Sequence, residues 1–174
     1  MYHKMSLGEI TRPMLEDCAR LYCEIWKEPP WNEDFWKEDE ALRDIEEQSS
    51  QSGFEMVLAV EGNHVIGFTW GYLVSREDLR KISSSSGLDH LFEKSNDIFY
   101  IDELAVAKMA RGRKIGQGLS REIVESFRLI GGIAVLRTDE LALPARNLYK
   151  SLGFEELPVR DGKYLSRTYW RLDL

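Results

Sequence analysis

The chain has little of what staples, anchors or metallates a small fold. Its 174 residues hold two cysteines, Cys18 and Cys23. Both fall in one predicted helix, five positions apart, so they point in different directions and do not readily pair. A disulfide framework is therefore not expected, and a reducing, cytoplasmic setting is. The three histidines, His3, His64 and His90, are scattered. None has metal-ligand spacing, so each reads as a surface residue and no metal is expected. No Ser/His/Asp or Cys/His arrangement can be assembled. The longest apolar runs are strand-sized, such as Met56–Val60, against the roughly 20 residues of a membrane span. The opening MYHKMSLGEITRP has no apolar core of a secretory leader, so none is expected. Positive charge is also short: 23 Lys and Arg stand against 30 Asp and Glu, a net charge of −7. That balance argues against nucleic acid or an anionic membrane as partner, and it is permissive for a cationic small molecule.

What is present is an ordinary globular composition, 43% hydrophobic and 30% charged. A chain of this length can bury about 70% of its unfolded surface, and it reads as one domain over residues 1–174. A short strand is expected near Met5–Ile10. Thr11 then reads as an N-cap, with Pro13 in the first turn of a helix that carries Leu15, Cys18, Tyr22, Ile25 and Trp26 on one face. Pro29-Pro30 stops it. Asn32 is expected to cap a second helix with Phe35, Trp36, Leu42 and Ile45 inward. Phe54–Val60 and Val65–Val74 read as a hairpin over Glu61–His64. Residues 75–96 are polar, with a weak helix over Glu77–Ile82 and the run Ser83–Ser86, and are expected as an insertion or flap beside a cleft. The strand Asp97–Val106, the basic loop Lys108–Lys114 and the helix Ile115–Ile130 follow, the helix with Ile115, Leu119, Ile123, Phe127 and Ile130 on one face. Beyond Gly131-Gly132 come a strand over Ile133–Arg137 and a helix over Leu143–Leu152 stopped by Gly153. Strands over Phe154–Val159 and Tyr164–Leu172, joined at Asp161-Gly162, close the chain. The order β-α-α-β-β-β-α-β-α-β-β predicts a mixed α/β (α+β) sheet with a strand-loop-helix unit at its middle.

That unit, Val106–Leu119, is the most informative stretch. A buried strand gives way to a glycine-bearing turn and then to an amphipathic helix. A helix N-terminus offers unpaired amides and partial positive charge, and glycine lets a phosphate approach the backbone. Lys108, Arg111, Arg113 and Lys114 crowd four bases into seven positions of an acidic chain. The stretch predicts an anion site. It is not a P-loop, because no G-x-x-x-x-G-K-[ST] string occurs. It is not a dinucleotide fingerprint, because Gly116-Gln117-Gly118 is followed by Arg121 where a third glycine belongs.

Here the chain resembles the GNAT superfamily of N-acetyltransferases, whose loop reads [QR]-x-x-G-x-[GA] between a central strand and a long helix. The matching stretch is Arg111-Gly112-Arg113-Lys114-Ile115-Gly116, after Ile101–Val106. Lys114 stands where the family usually has its first glycine. A second family signature, L-Y-x-x-x-G-F at the end of the late helix, is matched by Leu148-Tyr149-Lys150-Ser151-Leu152-Gly153-Phe154. Many relatives carry an Asn seven residues before that tyrosine, where this chain has Ala142. The resemblance implies a GNAT-like fold and acetyl transfer from acetyl-CoA, as co-substrate, to a small-molecule or peptide amine. It implies that Arg111, Gly112, Arg113, Lys114, Ile115, Gly116 and Asn147 hold the coenzyme. It also implies that Leu104, Ala105 and Val106 pair with its pantetheine arm, in a gap between the fourth and fifth strands. Relatives are often dimers, which allows a homodimer here.

Acetyl transfer to an amine needs a base and benefits from an acid. The resemblance puts Tyr149 near the coenzyme sulfur as general acid; spacing alone also fits a core aromatic. Glu103 is the candidate base. Strand alternation puts it with Phe99, Ile101 and Ala105, among apolar neighbours that raise a carboxylate pKa, and puts Asp102 on the opposite face. Either carboxylate could instead pair with Arg137. Thr138 and Asp139, after the fifth strand, and Trp31, after the two prolines, are candidates for the acceptor site. A non-catalytic acyl-CoA-binding or sensor module and a nucleotide-binding α/β protein are the competing classes.

Overall fold

The computed structural model of the chain describes residues 2–5, as backbone, and 9–174. The element order is β1 (Tyr2–Met5), α1 (Arg12–Trp26), α2 (Glu38–Gln48), β2 (Glu55–Glu61), β3 (His64–Val74), α3 (Arg76–Ser83), β4 (Ile98–Val106), α4 (Ile115–Arg128), β5 (Ile133–Asp139), α5 (Leu143–Ser151), β6 (Glu155–Arg160) and β7 (Arg167–Asp173). Short 3₁₀ turns lie at Asp89–Glu93 and Lys108–Ala110. The strands form one seven-stranded mixed sheet in the order β1-β2-β3-β4-β5-β7-β6. β4 and β5 run parallel and the remaining neighbours antiparallel. The expected order of strands and helices is found, with α3 added between β3 and β4 where a weak helix was expected. The strand expected over Met5–Ile10 is corrected: β1 ends at Met5, Glu9 and Ile10 lie in a turn before α1, and residues 6–8, like the side chain of His3, lie outside the described residues. Among the described residues no helix is long and apolar enough to cross a membrane.

Period-two alternation divides the core. Phe68, Trp70, Tyr72 and Val74 of β3 turn to one face. The first two lie under Cys18, Tyr22 and Ile25 of α1 and Leu42 and Ile45 of α2. The last two meet Leu79 of α3 and Leu88 and Leu91 beyond it. On the other face, Leu119, Ile123 and Phe127 of α4 and Tyr149 of α5 cover Phe99, Ile101, Ala134 and Leu136. Both cysteines are buried, free thiols on α1, and burial pushes Cys18 up to about 12.

Residues 75–96 pack by design of their own sequence. Ser75 and Asp78 close a reciprocal capping box at the start of α3, and Leu79, Leu88 and Leu91 anchor the segment to the sheet.

Three local expectations are corrected. Asn32 does not cap α2; it has φ 53°, and the helix starts at Glu38. Glu38, Asp39 and Glu40 fill the first turn, where the helix dipole favours them, and the preceding residues stay in an irregular loop. Phe35, expected inward, is exposed there. Ile130 lies beyond the end of α4 and is also exposed, because the helix stops at Arg128.

Two departures from a regular sheet make room for a site. First, β3 and β4 lose register between Trp70 and Gly71, which pair with Glu103 and Ile101. Asp102 is the extra residue of a β-bulge. Gly71 permits it: a Cβ there would lie 2.4 Å from the Tyr100 carbonyl oxygen and 2.5 Å from the Phe99 ring. Second, β4 and β5 pair from Ile98↔Ile133 to Ile101↔Leu136 and then part, although both strands continue.

Candidate active site

Two cavities meet where β4 and β5 part. The first, of about 620 Å³, is a groove along the outer half of β4, the loop after it and α5. Leu104, Ala105 and Val106 form one wall. Beyond Ile101 these residues have no strand partner on the β5 side, so their backbone groups there can accept an extended, amide-bearing chain. Arg111, Gly112, Lys114, Ile115 and Gly116 line the head of the groove, and Asn147 of α5 its far side. The amides of Ile115, Gly116 and Gln117 precede the first bond internal to α4, from Gly118 N–H to the Lys114 carbonyl. They are the orphan donors of a helix N-terminus. A Cβ on Gly112 would meet nothing within 4 Å, so that glycine faces open space. Amides, a basic rim and an unpaired strand edge fit a diphosphate with a pantetheine arm, which is the shape of acetyl-CoA.

The loop differs from expectation in two ways. Arg113 does not line the groove, because its guanidinium turns to Glu61 at the end of β2. Arg111 does line it, and donates to the Val106 carbonyl at 3.2 Å and to Glu28 at 2.6 Å. Lys114 takes a left-handed conformation, φ 61° and ψ 17°, at the N-cap of α4. That is the geometry that favours glycine.

The second cavity, of about 360 Å³, lies between the loop after α1 and the diverging strands. It shares Trp31, Leu104 and Ala145 with the groove. Asp102 and Glu103 both line it, with Tyr149, Arg137 and Thr138. Alternation predicted that Asp102 would face away. The bulge cancels that: Phe99 and Ile101 point to α4, whereas beyond Asp102 the strand presents Ala105 to α1. Asp102 accepts from the Tyr72 hydroxyl at 2.9 Å, and Glu103 is 3.4 Å from the Tyr22 hydroxyl. Burial raises Asp102 to about 6. Burial, then the charge of Asp102, then that of Asp44 raise Glu103 well above the usual carboxylate range. Arg137 pairs with neither; it donates to Asp161 at 2.9 Å and to the Ile82 carbonyl at 3.1 Å.

Tyr149 is buried on α5 and lines the second cavity. Burial and the charge of Glu103 raise its phenol, and its hydroxyl has no hydrogen-bond partner among the described residues. Asp139 leaves the expected set. Its carboxylate accepts from the Ser166 hydroxyl at 2.6 Å and the Leu141 amide at 2.9 Å, which ties two loops together. Sequence reasoning missed Tyr22, Glu33, Trp36 and Arg167 of the cleft. Only the clustering of aromatics around Pro29-Pro30 pointed that way. Among the described residues no group of three or more His, Cys, Asp or Glu is placed to hold a metal ion.

The fold and these cavities have known counterparts. No curated protein matches the chain in sequence. Among solved structures, a ribosomal-protein-alanine N-acetyltransferase from Brucella melitensis superposes with TM-score 0.71 at 18% identity, over 100% of this chain and 99% of that one. NAA60 from Arabidopsis thaliana, solved in complex with acetyl-CoA, gives 0.68 at 16%, over 100% and 98%. An aminoglycoside 6'-acetyltransferase type Ii gives 0.68 at 15%, over 99% and 96%. The family model for the acetyltransferase (GNAT) family matches residues 15–154, which span the loop, the bulged strand and the tyrosine helix. The chain thus belongs to the GNAT acetyltransferase family, whose reaction is acetyl transfer from acetyl-CoA.

Proposed function

We propose that the protein acetylates a primary amine held in the cleft over Asp102 and Glu103. The observation that carries this reading is the meeting of groove and cleft at the parting of β4 and β5. A thioester drawn along Leu104–Val106 arrives there beside the two carboxylates and Tyr149. Residues 1–174 act as one domain, with 75–96 bracing the cleft from behind Arg137.

The roles follow from the environments. The amides opening α4, with Arg111, Gly112, Lys114 and Gly116, hold the phosphates. Asn147 and β4 orient the arm. Glu103, its pKa raised by burial, takes the proton that an ammonium must lose before it attacks. Nitrogen then bonds the acetyl carbon and the carbon–sulfur bond breaks. The free Tyr149 hydroxyl gives the sulfur its proton, and the second proton that the nitrogen sheds in becoming an amide returns to the Tyr149 oxygen. Trp31 and Thr138 border the acceptor.

A thiol-release assay over a panel of amines tests the reaction. Tyr149→Phe is expected to lower kcat by about 10²-fold with coenzyme A affinity within twofold, and Glu103→Gln by a similar factor. Equal loss of turnover and binding would make Tyr149 structural. Coenzyme A binding with no turnover on any amine would instead select a binding or sensor module.

A further inference from the structure

The walls of the cleft are rings. Trp70, Tyr22, Trp26 and Trp31 form a ladder of near-parallel planes with centroids 6.4, 4.6 and 6.1 Å apart. Trp36 meets Tyr22 edge-on at 5.1 Å. Tyr22, Trp26, Trp31 and Trp36 all line the cavity, and Phe35 and Tyr164 stand exposed at its border.

The charges of the walls are already balanced. Glu33 accepts from Arg167 through one carboxylate oxygen and from the Trp36 indole through the other, each at 2.9 Å. Arg167 also lies 4.3 Å over the Tyr164 ring. Arg137 is engaged by Asp161. What remains is Asp102 and Glu103, whose side-chain hydrogen bonds are to tyrosine hydroxyls.

From the aromatic walls, the balanced wall charges and the one carboxyl pair that has no ion-pair partner among the described residues, we infer that the acceptor is a primary amine with one positive charge on a flat, aromatic or otherwise apolar body. The inference rests on the acetyl-transfer reading above. The ammonium sits on Asp102 and Glu103 and its body lies against Trp26, Trp31 and Trp36. A polyamine or aminoglycoside needs several separated anionic groups, and Glu33 is taken. An α-amino acid would bring its own carboxylate to an anionic floor, with both guanidiniums of the cleft engaged. In the transfer itself one ammonium proton passes to a carboxylate, the nitrogen–acetyl bond forms and the carbon–sulfur bond breaks; Tyr149 gives the sulfur its proton and recovers the second proton that the nitrogen loses in becoming an amide.

The test is thiol release from acetyl-CoA with phenethylamine, tryptamine, spermidine, kanamycin, tryptophan and an alanine-initiated peptide. Phenethylamine or tryptamine should exceed each of the others in kcat/KM by at least about tenfold. Trp26→Ala and Trp36→Ala should raise the KM for that amine about tenfold, Trp36→Phe less than threefold, with coenzyme A affinity within twofold in all three. A preference for spermidine, kanamycin, tryptophan or the peptide overturns the inference and leaves the transferase reading standing. Thiol release from none of the six, with coenzyme A bound, overturns the transferase reading and the inference with it.

Discussion

Lys114 shows how one residue departs from its family's pattern without breaking the site. Its left-handed backbone costs an L-residue about 1–2 kcal/mol, part of which a glycine would return as unfolded-chain entropy. Lys114→Gly should therefore stabilise the protein by about 0.5–1 kcal/mol in urea denaturation. If the amides alone grip phosphate, coenzyme A affinity should stay within threefold; a larger loss would show that the lysine charge contributes. Glu28 is the second residue to change. Its carboxylate pairs with Arg111, the guanidinium proposed to hold phosphate. Glu28→Gln should tighten coenzyme A about two- to fivefold, the scale of a half-exposed ion pair, as read by calorimetry. The basic loop and its glycines were legible in the sequence because strand, turn and helix signals agree there. The Glu28 partner was not, since it is 83 residues away along the chain.

Among the elements, β4 carries the carboxylates of the proposed chemistry. A regular strand would bring one of its two adjacent carboxylates to the cleft, and the bulge brings both. This was not legible, because the alternation rule assumes an unbroken ladder and the bulge depends on Gly71 of the neighbouring strand. Gly71→Ala places a methyl within contact of the Tyr100 carbonyl and the Phe99 ring. It should cost about 2–3 kcal/mol of stability and lower kcat/KM more than tenfold, because the carboxylates shift with the strand. Unchanged activity in a folded Gly71→Ala protein would remove the bulge from the mechanism. The start of α2 was misread for a related reason. Asn32, Phe35 and Trp36 look like a helix start in sequence, yet the segment is held by contacts made outside it: Trp36 packs edge-on against Tyr22 of α1, and Glu33 pairs with Arg167, 134 residues away.

On the scale of the whole molecule, the half-buried carboxyl pair leaves a signature in stability. The folded pKa of Asp102 lies above its unfolded value, so the native state holds a proton that the unfolded chain has released. Stability must then fall as pH rises from about 4 through about 6, by up to about 3 kcal/mol from Asp102, and Glu103 extends the fall upward. Carboxylates with lowered values, such as Asp78, Asp89 and Asp161, act in the opposite sense and at lower pH. Urea denaturation between pH 5 and 8 should show the decline, and Asp102→Asn should flatten it and raise stability at pH 8. A flat wild-type profile would mean that the pair is solvated. The order of strands and helices was legible from periodicity and turn residues. The splay of β4 from β5 entered only through family resemblance, because nothing in either strand's own sequence marks where their pairing stops.

The central claim is that coenzyme A binds along β4 with its sulfur at that splay. A crystal structure of the coenzyme A complex tests it most directly. The account predicts the diphosphate on the amides of residues 111–117 and the sulfur within hydrogen-bond reach of the Tyr149 hydroxyl. A coenzyme seated elsewhere, or a gap closed by continued pairing of β4 with β5, would contradict it.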